Sequence, residues 1–89
     1  MRNYLVESYV STAPGALDDS RERAQRTAEL GGVGIRYVRT TYLRDDETCF
    51  HVFEATSLEA VIEAAQRAGL PDTRVTEAIE NEDDRGRPE

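Results

Sequence analysis

A chain of 89 residues carrying a net charge of −7 makes one domain, with a single core that removes only about 60–65% of the unfolded chain's surface from water. The acidic balance argues against nucleic acid, whose phosphates require a basic patch, and against an anionic membrane surface. No apolar run nears the roughly 20 residues of a membrane span, and the start Met1-Arg2-Asn3-Tyr4 leads into a strand pattern instead of a signal peptide.

One cysteine cannot close an internal disulfide, so nothing asks for an oxidising compartment and a cytoplasmic setting is expected. All 11 basic residues are arginine, dispersed and not interleaved with aromatics. That bias reads as the coding of a GC-rich bacterium more than as a binding strategy.

Asn3 to Val10 is rich in aromatic and β-branched residues and predicts a first strand. Ser11 to Gly15 is loop, and Ala16 to Leu30 has helical composition, with Leu17, Ala24, Ala28 and Leu30 near one stripe and Gly31-Gly32 as the stop. Ile35 to Leu43 predicts the second strand and Thr48 to Ala55 the third, joined as a hairpin by the polar turn Arg44-Asp45-Asp46-Glu47. That acidic turn lacks the glycine and ligand spacing of a calcium loop and reads as solvated.

Thr56-Ser57-Leu58-Glu59 matches a capping box opening a second helix, whose stripe is Leu58, Val61, Ile62, Ala65 and Ala68 and whose end is Gly69. Arg74 to Ile79 predicts a short fourth strand. The order β-α-β-β-α-β gives an α+β, ferredoxin-like domain over residues 1–80, a four-stranded antiparallel sheet with both helices on one face, followed by a disordered acidic tail over 81–89. The other sheet face is bare in a monomer, so the partner expected is a second copy, packed face to face as a dimeric α+β barrel.

The chemistry concentrates on the third strand, where Cys49 and His51 share a face. They are expected on the open face with Phe53, leaving Phe50 and Val52 for the helices, because the reverse would put an imidazole and a thiol under aliphatic helices. Glu7 and Tyr9 on the first strand and Glu77 on the fourth would join them there. Thiolate and imidazole suit nickel, copper or zinc, but two donors are too few without carboxylates such as Glu7 or Glu77 or a second subunit's residues. The competing reading of the pair is a buried small Cys and a hydrogen-bonded His. Arg39 either meets an acidic ligand or protects an edge strand, and Tyr9, Tyr37 and Tyr42 either line a small-molecule pocket or furnish a half-wet interface.

Three stretches carry a resemblance: Tyr4-Leu5-Val6-Glu7-Ser8, the run from Asp46 to Ala55 with a serine-led helix behind it, and Ala68-Gly69-Leu70-Pro71. Over most of Asn3 to Glu80 the chain resembles a small bacterial family, common in actinobacteria, of ferredoxin-like, dimeric and nickel-binding domains of unknown function. The resemblance implies a dimer with some capacity for nickel and no established enzymatic activity; no other cofactor is expected. Its second strand departs from the family pattern, since Tyr37 to Tyr42 holds neither Trp nor His, which would leave a metal site one ligand short.

Two functions follow as expectations. The first is a cytoplasmic dimeric binding protein with Cys49 and His51 on a metal. The second, by fold analogy, is a small-molecule monooxygenase, isomerase or cyclase in which His51 is the acid or base, Glu7 orients it and Tyr9 or Arg39 positions substrate.

Overall fold

The structure, a computed structural model, describes residues 1–70 and 74–79; the tail expected over 81–89 lies outside the described residues. The elements are β1 (Arg2–Tyr9), α1 (Ala16–Gly31) with a 3₁₀ turn at Gly32–Gly34, β2 (Ile35–Leu43), β3 (Thr48–Ala55), α2 (Leu58–Ala68) and β4 (Arg74–Ala78). The sheet order is β2-β3-β1-β4 and every pairing is antiparallel. This is the ferredoxin-like α+β arrangement, with β1 and β3 at the centre.

Residues directly opposite one another in an antiparallel pair point to the same face. Tyr4 faces Phe53, Val6 faces His51 and Ser8 faces Cys49, and all six are buried. They lie beneath the helices, in or beside a core that includes Ala24 of α1 and Val61 and Ala65 of α2. The expected parity of β3 is therefore reversed: Cys49, His51 and Phe53 are covered, while Phe50 and Val52 stand opposite Glu7 and Leu5 on the open face. The imidazole does not meet aliphatic side chains alone there, because α1 turns a serine, Ser20, toward it.

That serine belongs to an inward face unlike the expected stripe. Ser20, Ala24 and Thr27 are the buried residues of α1, and Leu30 is 39% exposed. Thr27 satisfies itself by donating to the Arg23 carbonyl at 2.8 Å, the one-turn back-bond open to a helical hydroxyl. Small residues on this face bring the helix backbone close to the sheet. Beyond it, a methyl group on Gly31 would overlap the side chain of Ile35.

The second helix begins one residue later than its capping box predicts. Ser57 is the N-cap, its hydroxyl accepting from the Ala60 amide at 3.1 Å, so the hydroxyl that meets the orphan amide is Ser57's and not Thr56's. Gly69, at φ 73°, closes the helix, and the Leu70 amide returns to the Ala65 carbonyl at 2.9 Å.

β2 carries a bulge. Its pairing with β3 shifts between Tyr37 and Arg39, so that Arg39 stands opposite Val52, Thr40 opposite His51 and Tyr42 opposite Cys49. An unbroken alternation from Ile35 and Tyr37 would have sent Arg39 inward and Thr40 and Tyr42 outward. The extra residue reverses the alternation and delivers two hydroxyls to the covered face.

The acidic turn is more than a solvated loop at its last residue. Glu47, at φ 49°, accepts through one carboxylate oxygen from the Tyr9 hydroxyl at 2.9 Å and through the other from the Thr12 amide at 3.3 Å. Its carbonyl accepts from the Val10 amide at 2.9 Å. These bonds offset the cost, about 1 kcal/mol, of a non-glycine residue in the left-handed region. The carboxylate's hydrogen bond and charge together raise the Tyr9 phenol above its ordinary pKa.

Candidate functional site

The polar groups that the fold gathers lie under α1. His51, fully buried, has a hydroxyl on each ring nitrogen: Ser20 Oγ is 2.8 Å from Nε2 and Thr40 Oγ1 is 2.8 Å from Nδ1. Thr40 in turn shares a hydrogen bond with the Tyr37 hydroxyl. The result is a chain Tyr37, Thr40, His51, Ser20 that crosses the domain from β2 through β3 to α1. Each hydroxyl both donates and accepts, so a neutral imidazole is satisfied in either tautomer. No buried side-chain nitrogen or oxygen among the described residues is left without a partner.

Burial, with a smaller contribution from the Arg21 charge, lowers the His51 pKa to about 4, so the ring is neutral near pH 7. The Cys49 thiol lies 3.5 Å from Nε2 and 3.9 Å from Nδ1. Its pKa is raised by burial, against a smaller lowering by the Ser20 hydroxyl. A neutral imidazole beside an un-ionised thiol is a packed polar cluster, not an activated nucleophile, which requires thiolate.

The residues expected to converge do not. Glu7 lies on the open face, in register with Phe50 and Arg74, across the sheet from His51. The acid–base set of His51 oriented by Glu7 is therefore not assembled. Tyr9 is on the same open face and is spent on Glu47. Glu77 stands opposite Tyr4, two strands from Cys49's end of the sheet, and reaches Arg2 at 3.8 Å. Phe53 belongs to the core against Tyr37, ring centres 5.9 Å apart. The Tyr42 hydroxyl donates to the Val10 carbonyl at 2.8 Å, and Arg39 sits on the edge strand.

These contacts decide whether the donors suit nickel. Among the described residues no three of His, Cys, Asp and Glu come together. Both nitrogens of His51 are already engaged at 2.8 Å, so a metal could take either only by displacing Ser20 or Thr40. The thiol beside it favours its protonated form. The pair Cys49 and His51 thus does not fit a nickel centre within one chain.

Ser20 and Thr40 are the residues that sequence reasoning missed. The signal for Ser20 was its spacing of four from Ala24 and seven from Thr27, small residues that a search for apolar stripes passes over. Thr40 left no signal, because the bulge that turns it inward is invisible to alternation.

Compared with known proteins, no curated protein matches the chain. The crystal structure of SCO4226 from Streptomyces coelicolor A3(2) superimposes with a TM-score of 0.71 over 90% of this chain and 99% of that one, at 13% identity, a likeness of fold alone. No helix among the described residues is long and apolar enough to cross a membrane. The family model described as nickel responsive protein SCO4226-like matches residues 4–78, and the chain belongs to that family.

Proposed function

We propose that this domain is a non-enzymatic binding protein that acts in a response to nickel as a cytoplasmic homodimer, two copies meeting through their open sheet faces. The observation that carries the reading is the make-up of that face. In register across it, Leu5 meets Val52 and Glu7 meets Phe50, giving an apolar middle in which Leu5 and Phe50 are half-buried and Val52 is already covered. Around it stand Arg36, ion-paired to Glu54 at 2.8 Å, Arg39 on one edge strand and Arg74, opposite Glu7, on the other.

A face that holds both signs of charge around an apolar centre is suited to an isologous contact, in which each patch meets its own copy under a two-fold axis. The separation of His51 and Glu7 by the sheet favours this reading over the acid–base one. Nickel enters from the family's description, and because the Cys49 and His51 donors do not fit it, uptake is expected to be insensitive to Cys49→Ser.

Sedimentation of tag-free protein tests the dimer. The expected result is twice the 10.0 kDa chain mass at micromolar concentration, reduced to the monomer by Phe50→Arg with the circular dichroism unchanged. A monomeric wild type, or a Phe50→Arg dimer, would overturn the reading. A nickel titration of metal-stripped wild type and Cys49→Ser, run alongside, separates the metal from the assembly.

A further inference from the structure

The hydrogen-bonded chain beneath α1 has its two ends in different concavities. Tyr37 and Thr40 border a cleft of about 410 Å³ at the sheet edge, between α1 and β2. Ser20 borders another of about 320 Å³, between α1 and the end of β1, beside Ser8 and Val10. The links between these ends are direct: the Tyr37 hydroxyl to Thr40 Oγ1, Thr40 Oγ1 to His51 Nδ1 at 2.8 Å, and Nε2 to Ser20 Oγ at 2.8 Å. Tyr37, Thr40 and His51 share the covered face with Phe53, and Ser20 is on the buried side of α1. The chain is therefore built within one protomer and stands whether or not two open faces pair.

A neutral imidazole donates from one nitrogen and accepts at the other, so the unbroken chain can be filled in two ways. With the proton on Nδ1, the ring donates to Thr40, Thr40 donates to Tyr37 and Tyr37 donates outward, while Ser20 donates to the bare Nε2. With the proton on Nε2 every bond reverses: Tyr37 donates to Thr40, Thr40 to Nδ1 and the ring to Ser20, whose own hydrogen turns away from the ring. A mixed filling sets two hydrogens or two lone pairs against each other and leaves a buried polar group unmet. The Cys49 thiol, 3.5 Å from Nε2, is a weak donor that adds to the first arrangement.

We propose that this chain is a two-state relay in which the His51 tautomer couples the two clefts. A hydrogen-bond acceptor that meets Tyr37 at the sheet edge selects the Nδ1–H form and turns the Ser20 hydrogen to the ring. An acceptor that meets Ser20 in the other cleft selects the Nε2–H form and leaves Tyr37 to accept on its outer side. The clefts thus oppose each other for carboxylate or carbonyl oxygens, with no movement of the backbone. One net hydrogen bond gained or lost at either end corresponds to a change of about fivefold in the tautomer ratio, within the range of ordinary coupling between sites.

His51 is the chain's one histidine, so the nitrogen-15 resonances of its ring, recorded on the full chain at pH 7, read the tautomer ratio without overlap. Tyr37→Phe keeps the ring against Phe53 but takes from Thr40 its outer acceptor, and the ratio of Nε2–H to Nδ1–H should rise about fivefold. Ser20→Ala removes the acceptor of an Nε2–H and leaves the thiol to donate to the bare nitrogen, so the ratio should fall by a similar factor. Thr40→Val cuts the chain, and in that background Tyr37→Phe should leave the ratio where it was. A melt of each variant checks the fold; should Ser20→Ala fail to fold, Tyr37→Phe with and without Thr40→Val decides by itself. A ratio unmoved by Tyr37→Phe, a shift in the same direction from Ser20→Ala, or an effect of Tyr37→Phe that survives Thr40→Val would overturn the relay.

Discussion

The two faces of this sheet divide the chemistry against intuition. The covered face, under the helices, holds the imidazole, the thiol and the hydroxyls of Tyr4, Ser8, Tyr37, Thr40 and Tyr42; the open face holds Leu5, Phe50 and Val52 within a ring of charge. A buried polar group is tolerable when every donor and acceptor is met, and here Ser20 and Thr40 meet both nitrogens of His51. An apolar patch on a small domain is costly to leave in water and gains by being shared. The lesson is that residue polarity does not identify the inner face; the inventory of available partners does.

The largest expected effect that would break this contrast comes from the two phenylalanines of β3. Phe53 is fully buried and Phe50 only half so, so Phe53→Ala should cost about 3–5 kcal/mol in urea unfolding and Phe50→Ala about 1 kcal/mol or less on the monomer. Equal losses would mean that the faces are not energetically distinct.

Acid probes the covered face next. The His51 pKa is about 4 when folded against 6.5 as a model value, so the folded state favours the neutral ring and the unfolded chain binds the proton first. Stability from this group is whole above pH 6.5 and is lost as pH falls toward 4, by about 3 kcal/mol in all. Urea unfolding across that window should decline more steeply for wild type than for His51→Gln. Parallel declines would assign the acid loss to carboxylates.

Smaller effects belong to the corners that hold the faces in place. Glu47→Ala removes the acceptor for Tyr9 and Thr12 and should cost about 1–2 kcal/mol, read as a lower melting temperature with Tyr9 titrating nearer its ordinary range. Ser57→Ala leaves an orphan amide at the start of α2 and should cost about 1 kcal/mol, with Ser57→Asp recovering most of it. A loss at Ser57 as large as that at Phe53 would show that α2 is not held mainly by its buried side chains.

The order and extent of the elements were legible in the sequence because β-branched runs, Gly69 and the polar turn at 44–47 each act locally. The facing of β3 was not, since Cys49, His51 and Phe53 on one side and Phe50 and Val52 on the other are both apolar enough to be inside. What decides it is the register with β1, whose Tyr4, Val6 and Ser8 are buried. The expected metal pair was found on one face, as the alternation required, but the groups that complete its environment come from α1 and from beyond the bulge. A serine on a helix and a threonine on an edge strand carry no mark of that role until the chain is folded.

The bulge in β2 also gives the strand slack. Because the pairing resumes at Arg39 opposite Val52 after closing at Tyr37 opposite Phe53, Val38 is surplus to the ladder. A chain shortened by that residue would keep every neighbouring side chain on its present side of the sheet, whereas one shortened at Thr40 would withdraw a hydroxyl from the imidazole. The strand therefore has one position at which its length is free to change, beside others at which it is fixed by what lies beneath.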